Sequence, residues 1–304
     1  MGAATLAAFA FGCGGTGKIS TKTTVAPSEK PVIKDATREE LLDKYNLYAQ
    51  NINTVNATVV LKPTAGSKYS GVIEEYHEVK AFLLASRPAN IRMIGQAPVI
   101  GTTVFDMASD GETFRVSVPS KNKFLVGQVS GEFNSNKPIE NLRPQHLLDA
   151  LLWPEIRKEE SVLFEEFNDE TARFYVLTVL RGGYRTEILR KIWYDRATLQ
   201  VSRFQTFAPK GLLVSDVRYS DWLPVDPAQA GAPVSGPVTT FAHSIRIDRP
   251  HDDYRLDLQV SKIVLNSDLP ADRFKLEQPA GSELVHVGEG EAGAGSGAGG
   301  NSKP

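Results

Sequence analysis

The chain carries one cysteine, Cys13, in 304 residues. A lone thiol excludes an internal disulfide, and no Cys/His spacing of a metal site accompanies it. Charge of one sign is also lacking. The 34 basic and 36 acidic residues leave a net charge of −2, and with no basic run there is no electrostatic basis for nucleic-acid binding. The uncharged stretch Gly2 to Gly12 has only eleven residues, whereas a membrane span needs about 20. The five histidines, His77, His146, His243, His251 and His286, form no H-E-x-x-H, no pair at ligand spacing and no partner to a Ser or Cys nucleophile motif. Glu74-Glu75 and Glu165-Glu166 are sequence neighbours, which on a strand point to opposite faces and make no carboxylate dyad. The chain therefore reads as no enzyme, with no catalytic residue, no metal and no cofactor.

What surrounds Cys13 is more telling. A short apolar run, a small residue and then cysteine resembles a bacterial lipoprotein signal, whose cysteine is acylated and becomes the mature N-terminus. No Lys or Arg precedes the run, and Ala10-Phe11-Gly12-Cys13 lacks the usual Leu three places before the cysteine. The other reading of Cys13 is a plain thiol in an unstructured tail. The same residues imitate a phosphate-binding loop, Gly12-Cys13-Gly14-Gly15-Thr16-Gly17-Lys18, but Ile19 stands where Ser or Thr would hold Mg²⁺. The Thr- and Pro-containing residues that follow supply no helix to face a phosphate.

Residues 14–36 read as a tether, and 288–304, almost without packable side chains, as a disordered Gly-rich tail. Between them lie about 250 residues of one domain, 37–287. It opens with a helix. Thr37 and Glu40 form a capping-box pattern, and Leu41, Tyr45, Tyr48 and Ile52 recur on one face. The period then changes to two, with Val55, Ala57, Val59 and Leu61 alternating with polar residues. Strand patterns follow at 72–85, 90–96, 102–109, 112–118 and 122–128, with Asp110-Gly111 the strongest hairpin signal. A second run covers 161–167, 171–181, 185–195, 198–207, 212–221, 239–247 and 254–265. Pro144 to Trp153, with Leu147, Leu148, Leu151 and Leu152 crowded together, predicts a second helix, and Asp268 to Phe274 a short third. The expected fold is mainly β with some α: an unclosed antiparallel β-barrel of about eleven strands. Two or three helices form a lid over a hydrophobic cavity. Leu41, Tyr45, Tyr48, Leu148, Leu151 and Leu152 are the candidate cavity and lid residues; plain core residues are the other reading.

The order of several weak motifs resembles the LolA/LolB lipoprotein-carrier family across residues 37 to 287. Arg87-Pro88-Ala89-Asn90-Ile91-Arg92 matches its R-P-x-x-[FI]-R strand. Pro98-Val99-Ile100-Gly101-Thr102 stands where the family has P-L-G-[ST], and Asp110-Gly111 matches its D-G hairpin. Trp193-Tyr194-Asp195-Arg196, Tyr219-Ser220-Asp221-Trp222 and Val264-Leu265-Asn266 are similar to its second half. The resemblance implies a pocket for acyl chains, with no nucleotide required. Cys13 as lipid anchor implies the membrane-bound LolB type, on the periplasmic face of the outer membrane. It further implies that Ile100, beside Val99, inserts into lipid, unless both merely start the next strand. It implies that Arg92 latches the lid, unless it is solvated on the outer face. Expected partners are lipoprotein acyl chains or phospholipid, a soluble periplasmic carrier, and the membrane through the anchor, with no nucleic acid. The alternative is an envelope sensor or scaffold that uses this fold to bind a protein and holds no lipid.

Overall fold

A computed structural model describes residues 33–67, 71–130, 141–168, 172–183, 185–226 and 239–287. Cys13, most of the tether, the Gly-rich tail and most of the 224–237 segment lie outside the described residues.

The first helix, α1 (Arg38–Asn51), begins as its sequence predicts. Thr37 is the N-cap: its hydroxyl accepts from the Glu40 amide at 3.2 Å, and the Glu40 carboxylate accepts from the Thr37 amide at 2.8 Å. Its last turn contains no basic residue to meet the free carbonyls, so a donor must come from elsewhere in the fold.

Fifteen strands follow α1 among the described residues: β1 (Thr54–Ser67), β2 (Val72–Glu75), β3 (Val79–Ser86), β4 (Asn90–Gln96), β5 (Thr103–Ser109), β6 (Thr113–Val118), β7 (Lys123–Gln128), β8 (Glu160–Asn168), β9 (Arg173–Arg181), β10 (Glu187–Asp195), β11 (Gln200–Ala208), β12 (Leu212–Pro224), β13 (Thr240–Arg249), β14 (Tyr254–Leu265) and β15 (Glu283–Val287). Helix α2 (Pro144–Leu151) lies between β7 and β8 in sequence. The strands join one unclosed sheet, ordered β15-β7-β6-β5-β4-β3-β1-β14-β13-β12-β11-β10-β9-β8, with β2 off this path on β1. The fold is thus an open barrel with a helical lid, as expected, but with fifteen strands instead of about eleven. Tyr76, His77 and Glu78 break the 72–85 pattern into β2 and β3. The five-residue β15 pairs in parallel with β7, a contact over too long a range for local pattern to announce. The short third helix is a 3₁₀ turn, Ala271–Phe274.

Side-chain alternation curls the sheet around one apolar face. Val55, Ala57, Val59 and Leu61 on β1 pair with Ala85, Leu83, Ala81 and Val79 on β3, and all eight are buried. On the other flank they meet Leu265, Ile263, Val260 and Leu258 of β14, also buried. Both helices drop their Leu/Tyr faces into this concavity, so sheet and lid share one hydrophobic core.

Candidate functional site

Arrangement of the lid on the concave face decides what the face can hold. Leu41, Tyr45, Leu148, Leu151 and Leu152 are buried in the common core, and Tyr48 is half-buried. The lid candidates are therefore brought together, but as a plug that fills the sheet's hollow.

At its centre is Trp153, one residue past the C-cap of α2 and 2% exposed. Its ring stacks on Tyr48 at 4.1 Å and on Tyr45 at 5.5 Å between centroids, and meets Tyr219 edge-on at 5.4 Å. Such offset and edge arrangements suit the ring quadrupoles. The polar handles of Trp153, Tyr219, Tyr45 and the neighbouring Tyr194 are satisfied. Trp153 Nε1 donates to Tyr219 Oη at 2.9 Å, and Tyr219 Oη donates to the Ala150 carbonyl at 2.8 Å. Tyr45 Oη donates to Pro154 and Tyr194 Oη to Leu41, at 2.7 and 3.0 Å. Burial pushes the phenols of Tyr45, Tyr48, Tyr194 and Tyr219 well above their ordinary range, so all four stay protonated.

The arginine that reaches the helix-end carbonyls is Arg87. Its Nη2 donates to Ala49 and to Trp153, both at 2.7 Å, and its Nε donates to Ile52 at 3.0 Å. One planar guanidinium thereby supplies the donor that α1 lacks and joins the end of α1 to the segment after α2. Arg92 does not do this. It forms a two-bond pair with Asp106, at 3.1 and 2.8 Å, and donates to the carbonyls of Arg273 and Lys275 at 3.1 and 3.0 Å. Arg92 alternates with inward Ile91 and Met93 on β4, so it sits on the outer face. There it pins the 3₁₀ turn near the C-terminal end, and is neither the lid latch nor free in solvent.

A second polar contact holds α2. The Tyr254 hydroxyl is hydrogen bonded to Nδ1 of His146. Burial, with Arg249 and Arg143 nearby, pushes the imidazole well below its usual value, leaving it neutral at pH 7. One turn on, Asp149 is exposed to solvent on one side while protein crowds its carboxyl on the other. That burial pushes its carboxyl up to about 6, against the opposing pull of Arg249.

Val99 and Ile100 stand apart from the core. They belong to the turn between β4 and β5, which starts only at Thr103, so they do not begin the next strand. Val99 is fully exposed and Ile100 is 73% exposed. The Ile100 amide donates to Pro98 at 3.0 Å, and Val99 takes φ 75° at the centre of this tight turn. A β-branched residue at positive φ is strained, and two exposed branched aliphatics at one tip are unusual for a surface facing only water.

Sequence reasoning missed Arg87, Trp153, Tyr194 and Tyr219 as site residues. Only Arg87 had a readable signal: a helix ending without Lys, Arg or Gly needs a donor, and Arg87 is the first arginine after it. Among the described residues, no helix is long and apolar enough to cross a membrane.

No family model matches the sequence, and no curated protein matches it. Among solved structures, the chain is similar to a DUF1329 family protein from Desulfovibrio piger, with 14% identity over 77% of this chain and 94% of that one, TM-score 0.48. It is also similar to a putative outer membrane lipoprotein-sorting protein domain from Vibrio parahaemolyticus, with 12% identity, 77% and 95% coverage and TM-score 0.47. A LolA superfamily protein from Nitrosomonas europaea has 13% identity, 80% and 99% coverage and TM-score 0.45.

Proposed function

We propose that this chain is a LolB-like carrier or acceptor of acyl chains in a bacterial cell envelope, held by lipid on Cys13 at the periplasmic face of the outer membrane. The observation that carries the reading is the helical plug. The apolar concave face is covered by two helices, and α1 is joined to the segment after α2 by Arg87 and by a few hydrogen bonds of Tyr45, Asn46 and Gln50 with Pro154, Ile156 and Glu155. A plug held by a few polar contacts is one that acyl chains can displace, trading apolar burial for apolar burial with no nucleotide. The exposed Val99–Ile100 tip supports a part that touches lipid during delivery. Cargo would be lipoprotein acyl chains or phospholipid, handed over by a soluble periplasmic carrier.

Native mass spectrometry on the full chain, purified from a diderm periplasm in gentle buffer, tests this. Co-purifying acyl species, lost when Leu148 and Leu151 become polar while the fold persists, is the expected result. A bare mass with no uptake of an apolar dye overturns it. Palmitate labelling of wild type but not of Cys13→Ala is expected for the anchor, and labelling of both or neither overturns that part.

One observation favours a second reading. The chain's own Trp153, Tyr45 and leucines are buried on the concave face. A sensor or scaffold that binds a protein and never opens would look the same, and would give the bare mass.

A further inference from the structure

Among the described residues the sheet is unclosed, with β15 and β8 at the two ends of its strand order and the four-residue β2 paired only with β1. Exposed edges invite another strand, and proteins blunt them by shortness, Pro, Lys or bulges. β15 has five residues. β8, Glu-Ser-Val-Leu-Phe-Glu-Glu-Phe-Asn, has nine, contains no Pro or Lys, and pairs with β9 without a register shift.

Its side chains are apolar on both faces. Leu163 is 54% and Phe167 46% exposed on one, and Phe164 is exposed on the other. Beside Phe167 the sheet offers an aromatic platform. The Trp193 ring is edge-on to Phe167 at 5.5 Å and to Phe174 at 5.7 Å, with the Arg203 guanidinium over it. The outward backbone is partly taken up, since the Glu160 amide turns away from β9 to donate to Arg157 at 3.1 Å and the Val162 carbonyl accepts from Arg38. Strand alternation then aims the amides and carbonyls of Phe164 and Glu166 outward as well.

Charge selects the occupant. Glu160 pairs with Arg190 and Glu166 with Arg196, but Glu165 meets only the Thr178 hydroxyl, at 3.1 Å, and no cation among the described residues. A second copy fits poorly, because pairing two β8 edges brings two sets of the same carboxylates into adjacent strands. An anionic membrane is repelled for the same reason.

We propose that β8 is the docking edge for an extended segment of another protein, which adds as one further strand and alternates apolar with basic side chains. This holds whether or not the concave face carries lipid.

The test uses the full chain and a fluorescein-labelled nine-residue peptide alternating valine with lysine, matched to the length of β8. Controls are its N-methylated form, which cannot pair, and a form with glutamate for lysine. Saturable binding of the lysine peptide is expected, with slowed amide exchange at Phe164 and Glu166. N-methylation should abolish it. Glu165→Lys, at an exposed position, should weaken it about fivefold and turn the preference toward the glutamate peptide. The proposal is overturned if the lysine peptide fails to bind or the N-methylated peptide binds equally. It is also overturned if exchange slows at the helices instead of β8, if sedimentation shows a dimer that Glu165→Lys alters, or if only anionic vesicles protect β8.

Discussion

Nη2 of Arg87 donates to the carbonyl of Trp153 at 2.7 Å while also donating to Ala49 in the last turn of α1. A residue just past the end of β3 thus ties together two parts of the lid, 38 and 66 residues away. Arg87→Met keeps the stem and removes the donors. Leaving half-buried carbonyls unpaired costs about 1–3 kcal/mol for each that water does not reach. The variant should unfold at lower urea, by about 2–4 kcal/mol in all, and take up more apolar dye under native conditions. Unchanged dye uptake would show that Arg87 supports stability without holding the lid.

Trp153 fills the middle of the core. Trp153→Ala should lose about 3–5 kcal/mol from contacts and cavity. Trp153→Phe keeps much of the stacking on Tyr48 but removes the Nε1 donor to Tyr219, for an expected loss of about 1–2 kcal/mol. Denaturant midpoints of the pair separate ring packing from the hydrogen bond; equal losses would contradict the assignment.

The β4–β5 tip predicts opposite effects on stability and on lipid contact. Val99→Gly relieves a left-handed conformation and should leave stability unchanged or raise it by about 1 kcal/mol. Ile100→Asp touches nothing in the core and should unfold as wild type does. Both should reduce sedimentation with phospholipid vesicles. Vesicle binding at wild-type level in Ile100→Asp would remove the tip from any membrane role.

Two groups on α2 give stability a pH signature. The folded state depresses the His146 pKa below 6.5, so the unfolded chain protonates first and stability falls as pH drops through about 6.5 and below. Asp149 works the other way. Held at about 6 against 3.8 in the unfolded chain, it gains protons first in the folded state and restores stability as pH falls from about 6 to 4. Urea midpoints at pH 7, 5.5 and 4 should therefore show a shallower acid loss in His146→Gln and a steeper one in Asp149→Asn. Parallel curves for the three proteins would mean that neither group titrates as its surroundings imply.

Much of the architecture was legible because it follows from local chemistry. The Thr37–Glu40 capping box set the start of α1, and the alternation from Tyr254 to Val260 marked β14, which runs from Tyr254 to Leu265 as expected. For Val99 and Ile100 the sequence left two readings open, a protruding tip and the start of the next strand, and the structure places both residues in the turn before Thr103.

The site was legible only in part. Arg92 and Arg87 lie five positions apart around the same motif, and nothing local distinguishes them as latch. Which of them meets the helix ends depends on where α1 stops relative to β3, and that is a matter of packing. β15 was missed for a similar reason, since its five residues pair with β7 from far along the chain.

By itself the sequence determined the elements, their polarity and the apolar face each must bury, because periodicity and capping act within a few residues. Tertiary structure alone decided that the helices pack into the hollow, that Trp153 is at their centre, that Arg87 ties them, and that β8 ends the strand order of the sheet among the described residues. Each of these follows from which residues meet across the closed or unclosed sides of the sheet, and contacts between distant segments are fixed only when the whole apolar face is buried at once.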